Sequence, residues 1–320
     1  MSLASLTQFI HQAPDFEAVW QFPELQRLTN LRLPDAVTSV NEQVLRADAS
    51  SMWLRWYLAG LSSPQRWTLD KSASEAAIYV EAISRAGSLF PNESANDKEA
   101  FAKIVARVLM QEVHRRRGTA RTAPTRLIKQ NLIAAATPPR CWMCGYAFRS
   151  DAISNFLGAN KPPVSLVLPK IVDLFRPRGL IERDLQIEVD HIIPVAGGGG
   201  AGSNFALACG WCNSHKGARL SIYDTGVDPK PAAQGFVFSG TTLHELPRMF
   251  WTIRLLTVRQ KCEHVGGCTA TTQNHEMFVA LRDLRGSPNP SNLGVYCAAH
   301  DPHVSERFVD ESRARRIWGN

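Results

Sequence analysis

The sequence predicts an α+β protein: a mostly helical chain with a central strand-bearing unit held by metal, followed by a C-terminal helical lobe. Three observations point there. Apolar residues recur at helical spacing through the first 130 residues. Two Cys-x-x-Cys pairs, Cys141/Cys144 and Cys209/Cys212, bracket the middle of the chain. β-branched residues crowd together just ahead of the second pair, from Ile187 to Ile193, where they suit a strand.

The composition narrows the classes open to the chain. With 320 residues and 44% hydrophobic content it has material for a real core, which excludes global disorder. The net charge of +7 is compatible with a polyanionic partner, a property shared with many soluble proteins. The first 20 residues lack a basic segment followed by a long apolar run, so no secretory signal is expected. No stretch approaches the roughly 18 uninterrupted apolar residues of a membrane span. The expectation is a soluble, cytoplasmic protein without membrane contact. In a reducing compartment, seven cysteines in spaced groups read as metal ligands rather than disulfides.

Residues 1–135 are expected to form a helical domain. Ser39 and Glu42 have the spacing of a capping box ahead of Val44, Leu45, Met52 and Leu54. A second helix is expected over 72–86. The clearest follows Asn96, with Phe101, Ile104, Val105, Val108 and Leu109 on one face and Gly118 as its stop. Thr, Arg and Pro enrichment up to Pro138 and Pro139 marks a boundary. Residues 136–224 form the motif-bearing unit, with an insertion at 148–186 between the cysteine pairs. Residues 224–240 read as a Gly/Pro-containing linker. In the lobe at 241–320, Thr242 and Glu245 have capping-box spacing ahead of Leu246, Phe250, Ile253 and Leu256.

Cys141, Cys144, Cys209 and Cys212 supply four thiolates on two tight turns, the donor set of a tetrahedral zinc. Four protein ligands leave no open position, so this zinc is expected to be structural. The bland alternative is four separately buried cysteines. Cys262, Cys268, Cys297 and His300 form a less regular group that suits a second zinc; His264 and His303 compete for the histidine position, and isolated core cysteines are the alternative.

Between and after the first cysteine pairs run Asp190-His191-Ile192-Ile193-Pro194, a Gly-rich loop at 197–202, Asn204, and then Asn213-x-x-Lys216-Gly217 directly behind Cys212. This order and spacing resembles the HNH endonucleases, including their zinc-stabilised branch and the HNH domain of RNA-guided DNA-cleaving effectors. The resemblance covers about 80 residues, 141–220, without the insertion.

The resemblance implies a ββα-metal unit: a β-hairpin followed by a helix, with one cation between them. It implies His191 as general base, a role its ordinary pKa near 6.5 suits. It implies Asp190 and Asn213 as oxygen ligands of Mg²⁺ or Mn²⁺, with His215 as an alternative to Asn213. Asn204 is expected to orient the base by holding the loop backbone, and Lys216 to contact a phosphate. The implied substrate is double-stranded DNA, nicked or cut through, leaving 5′-phosphate and 3′-hydroxyl ends. By analogy alone, such proteins serve in bacterial restriction or anti-phage defence with partner subunits.

Arg115, Arg116, Arg117, Arg121, Arg126 and Lys129 form a positive stretch ahead of the first cysteine pair, fit either to track a nucleic-acid backbone or to serve as a solvated helix end. Two rival functions fit the same motifs: an RNA-cleaving enzyme, and a zinc-dependent binding module with idle catalytic residues. A zinc deaminase does not fit. None of the nine histidines is followed by Glu two positions later, as that chemistry requires.

Overall fold

The computed structural model describes residues 3–12, 21–29, 33–117, 124–192 and 204–319. The N-terminal part is helical: α1 (Leu3–Gln12), α2 (Phe22–Thr29), α3 (Asp35–Thr38), α4 (Glu42–Leu61), α5 (Pro64–Leu69), α6 (Glu75–Leu89) and α7 (Ala95–Arg117). Ser63 and Ser74 cap α5 and α6 by accepting from the amides of Arg66 and Ala77. The capping box at Ser39 does not form, because α4 starts one residue after Asn41. The Asn41 amide instead donates to the carbonyls of Pro290 and Leu293. On α7 the buried face runs through Ala102, Val105, Ala106, Leu109 and Val113. Ile104, expected on that face, is 55% exposed, so the face is rotated towards the small alanines. This face packs on Ile78 and Ala82 of α6, with Leu58, Leu61 and Trp67, to make one core.

The chain continues through α8 (Arg126–Ala134), α9 (Ser150–Phe156), β1 (Ile171–Asp173), a 3-10 turn (Glu182–Leu185), β2 (Ile187–His191), β3 (Phe205–Cys209) and α10 (Gly210–Lys216). A second 3-10 turn (Ile222–Thr225) follows. Next come β4 (Lys230–Phe238), β5 (Thr241–Leu246), α11 (Met249–Arg259), β6 (Met277–Leu281), β7 (Leu293–Cys297), α12 (Val304–Arg307), β8 (Phe308–Asp310) and α13 (Glu311–Trp318). The described strands pair as antiparallel two-stranded sheets: β1 with β8, β2 with β3, β4 with β5, and β6 with β7. The fold is therefore mixed α and β.

Two expectations fail in the C-terminal third. The stretch at 224–240 is mostly strand β4, not a linker, and Thr242 and Glu245 lie in strand β5 instead of capping a helix. Pro247 explains the second: the residue before a proline is pushed into extended backbone, so the helix waits until Met249. Leu243 and Leu246 turn inward to meet Phe236 and Phe238. The lobe is thus a mixture of hairpins and helices.

A second core gathers Met143, Leu174, Phe175, Trp211, Trp251, Leu256, Val279, Ile317 and Trp318. It draws from the central unit and the C-terminal third alike. Helix α4 spans both cores, with Val44 buried in this one and Leu58 and Leu61 in the other. Asp48 of α4 secures the junction, accepting from the Ile222 amide at 2.8 Å and pairing with Arg254 at 2.6 Å. Arg307, fully buried, bridges Asp173 of β1, Asp301 and the Val279 carbonyl. No described helix is long and apolar enough to cross a membrane.

Candidate active site and metal centres

Two groups among the described residues could hold a metal ion. In the first, the sulfur atoms of Cys141, Cys144, Cys209 and Cys212 all lie within 4.8 Å of one another, and all four residues are fully buried. A tetrahedral ion with thiolates at about 2.3 Å needs sulfur separations of about 3.8 Å, so the arrangement fits one. The long gap between the pairs, residues 145–208, is therefore no obstacle to their meeting. The first pair sits on a tight turn and the second where β3 passes into α10. The first is closed by bonds from the Gly145 amide to the Cys141 carbonyl at 2.7 Å and from the Cys141 amide to the Tyr146 carbonyl at 2.9 Å. Gly145 has φ +74°, and a Cβ there would strike the His275 carbonyl. Burial opposes ionisation of the Cys144 thiol. Bonds with the other three cysteines and the charge of Arg176 nonetheless bring it well below the ordinary thiol value.

The Asp-His pair lies beside this cluster. Asp190 on β2 is buried, and its Oδ2 accepts from the Trp142 Nε1 at 3.0 Å and from the Lys216 Nζ at 2.6 Å. Trp142 comes from the first cysteine turn and Lys216 from the last residue of α10. Burial pushes the Asp190 carboxyl above the usual carboxylate range, with Lys216 and Trp142 opposing. Burial likewise lowers the Lys216 ammonium, with Asp190 opposing. Lys216 also donates to the His191 carbonyl at 2.6 Å. The His191 ring is half-buried and meets Phe205 edge-on, its cross-strand neighbour, with centroids 4.7 Å apart.

Strand alternation decides what meets α10. Glu188 and Asp190 are two apart on β2 and share one face. Lys216 meets Asp190, whereas Asn213, one turn earlier, donates its Nδ2 to Glu188 Oε2. The Asn213 side chain is thus engaged by Glu188 and not by Asp190. Asn204 sits where β3 begins, and its carbonyl accepts from the Ile192 amide at 2.9 Å, extending the β2–β3 ladder by one bond. The His215 ring lies against Trp211, centroids 4.7 Å apart, and burial together with the Arg219 charge lowers its pKa to about 4. The Gly-rich loop at 197–202, with Ile193 and Pro194, lies outside the described residues. Sequence reasoning missed Glu188 and Trp142. Glu188 was open to discovery from its period-2 relation to Asp190; Trp142 carried no local signal.

The second group brings Cys262, Cys268, Cys297 and His300 within the same 4.8 Å limit. His300 Nδ1 lies 3.3 Å from Cys297 Sγ and 3.7 Å from Cys262 Sγ. The competing His264 stacks on the His300 ring at 4.0 Å, and His303 turns to the Leu281 carbonyl at 3.1 Å. The hairpin bearing Cys297 is tied to the first cysteine turn by a bond from the Met277 amide to the Cys144 carbonyl at 2.9 Å.

The basic stretch divides. Arg116 pairs with Glu112 at 2.7 Å, and Arg117 donates to the carbonyls of Trp67, Thr68 and Asp70, tying α7 to the end of α5. Arg126 is exposed at the start of α8, and Lys129 lies over the Phe156 ring. Arg121 and Gly118 fall outside the described residues, and α7 is described to Arg117.

No curated protein and no solved structure matches the chain. The segment that carries Asp190, His191, Asn204, Asn213 and Lys216 does match a protein family. Residues 179–219 fit the family model for the HNH endonuclease, so the chain carries an HNH unit and with it the general signature of a metal-using nuclease.

Proposed function

We propose that the protein is a metal-dependent HNH endonuclease hydrolysing phosphodiester bonds of DNA. The observation that carries this reading is the convergence of Asp190, Lys216 and the His191 backbone at one end of a two-stranded sheet, inside the family match. The order β2, β3, α10 supports a ββα-metal unit.

Asp190 and Asn213 supply oxygen donors of the kind Mg²⁺ or Mn²⁺ prefers. When bound, such a cation would stabilise charge on the phosphate and on the departing oxygen. His191 takes a proton from the attacking water as general base. The new P–O bond forms as the bond to the 3′ oxygen breaks, leaving a 5′-phosphate and a 3′-hydroxyl. Asn204 holds the end of the hairpin that carries His191. Lys216, which here donates to Asp190, is the side chain that would pair with a phosphate oxygen.

Both cysteine groups hold structural zinc in this reading. The helical region at 1–135 and the exposed Arg126 serve nucleic acid or a partner subunit. A role in anti-phage defence is an analogy from similar architectures.

The test is supercoiled plasmid with Mg²⁺ or Mn²⁺, with EDTA, and with His191→Ala in parallel. Metal-dependent nicking or linearisation, reduced at least about 100-fold in His191→Ala, is expected. Cleavage of RNA but not plasmid would replace the substrate. Cleavage of neither would favour the binding module.

A further inference from the structure

We infer that Glu188 is a positioning residue, which sets the Asn213 side-chain amide with its oxygen available to a hard cation. The inference rests on the nuclease reading above. An asparagine amide has two ends of similar shape, but only the carbonyl oxygen is a ligand for Mg²⁺ or Mn²⁺. Something must choose between them. A carboxylate only accepts hydrogen bonds, so an amide that meets one must present its nitrogen. Asn213 does so, with Nδ2 on Glu188 Oε2, and its Oδ1 is turned away from that carboxylate.

Glu188 is itself held. Its Oε1 accepts from Arg183 Nε at 2.8 Å, and Arg183 belongs to the 3-10 turn ahead of β2. That turn lies tight against the start of α10: the Gly210 amide donates to the Gln186 carbonyl at 2.9 Å, and a Cβ on Gly210 would stand 1.9 Å from the Arg183 carbonyl. Arg183, Glu188 and Asn213 therefore form a relay that joins the turn, the strand and the helix. Glu188 shares a face of β2 with Asp190, so the amide meets the strand on the face that carries the other proposed ligand.

Mn²⁺ binding to the zinc-loaded protein, followed by loss of the free-ion EPR signal, tests this without reading activity. Zinc content and far-UV circular dichroism check folding of each variant. Asn213→Ala and Glu188→Ala are each expected to weaken Mn²⁺ binding about tenfold or more, the scale of losing a partner that orients a metal ligand. Glu188→Gln keeps a carbonyl acceptor for Nδ2 and is expected to stay within about threefold of the native protein. Arg183→Ala removes the ion pair but not the amide contact, and should likewise cost less than about threefold. In an Asn213→His background there is no amide to orient, so Glu188→Ala should have no further effect.

Loss of binding in Asn213→Ala without loss in Glu188→Ala would overturn this inference and leave the nuclease reading intact. A full effect of Glu188→Ala in the Asn213→His background would make Glu188 a ligand or a fold element, which also overturns it. Unchanged binding in Asn213→Ala would remove Asn213 from the ligand set, and this inference with it.

Discussion

Trp142 donates its indole N–H to Asp190 Oδ2 at 3.0 Å, so the turn that carries the first cysteine pair also holds the carboxylate of the Asp-His pair. The backbone amide of Trp142 reaches the Leu207 carbonyl at 2.9 Å, fixing the turn against β3. Trp142→Phe keeps the bulk and deletes the donor. A buried acceptor left short of a partner costs about 1–3 kcal/mol. Plasmid nicking is expected to fall roughly tenfold, with zinc content unchanged. Full activity in this variant would show that the Trp142 bond is not needed to hold Asp190.

Two zinc ions per chain are expected, one in each cysteine group. Thiol modification of the purified protein in the presence of a chromogenic chelator counts them. Cys297→Ser should leave one, whereas Cys209→Ser should lose the zinc of the central unit together with the fold around it. A native stoichiometry of one would restrict zinc to a single cluster.

Arg307 is buried between Asp173 and Asp301, joining the insertion to the C-terminal part of the chain. Removing one partner of a buried ionic network strands the others. Arg307→Met is expected to destabilise by about 3–5 kcal/mol in urea unfolding. A loss under about 1 kcal/mol would place the stability of this junction in the surrounding apolar packing instead.

Asp224 gives the acid response a definite sign. Burial would raise its carboxyl, but the amides of Leu220 and Ser221 and the Arg55 side chain outweigh burial and hold it below its ordinary value of 3.8. A carboxyl depressed in the folded state stabilises above the unfolded value and loses that contribution as pH falls through the folded one. The stability gap between native protein and Asp224→Asn should therefore be widest near neutrality and shrink below pH 3.8. Paired urea titrations across that range measure it, and a gap constant with pH would assign the effect to shape alone.

The residues that sequence exposed were those whose chemistry is local or rare. The two ligand quartets needed only residue spacing, and the structure gathers four cysteines in one group and three with His300 in the other. Helix α7 was legible because its apolar period is long, although the packed face turned out to be set by Ala102 and Ala106, which periodicity weighs lightly. Strand β5 was misread because Thr-x-x-Glu serves a cap and a strand equally well, and the deciding residue, Pro247, lies beyond that pattern. Trp142 was not visible because it reaches Asp190 only when a distant turn meets β2. Asn213 shows the same effect: its position behind Cys212 was plain, its partner was not.

The pairing of β1 with β8 places residues 171–173 against 308–310, and Trp318 donates to the Leu174 carbonyl. A ribosome making this chain emits the Asp-His pair and both sets of cysteine turns well before the strand, the arginine and the tryptophan that close the central unit. A nascent chain therefore carries the segment at 179–219 through most of the C-terminal third of its synthesis without the contacts that complete the surrounding core. A chain truncated ahead of residue 307 would lack that closure, with β1 left without its partner strand and Asp173 without Arg307.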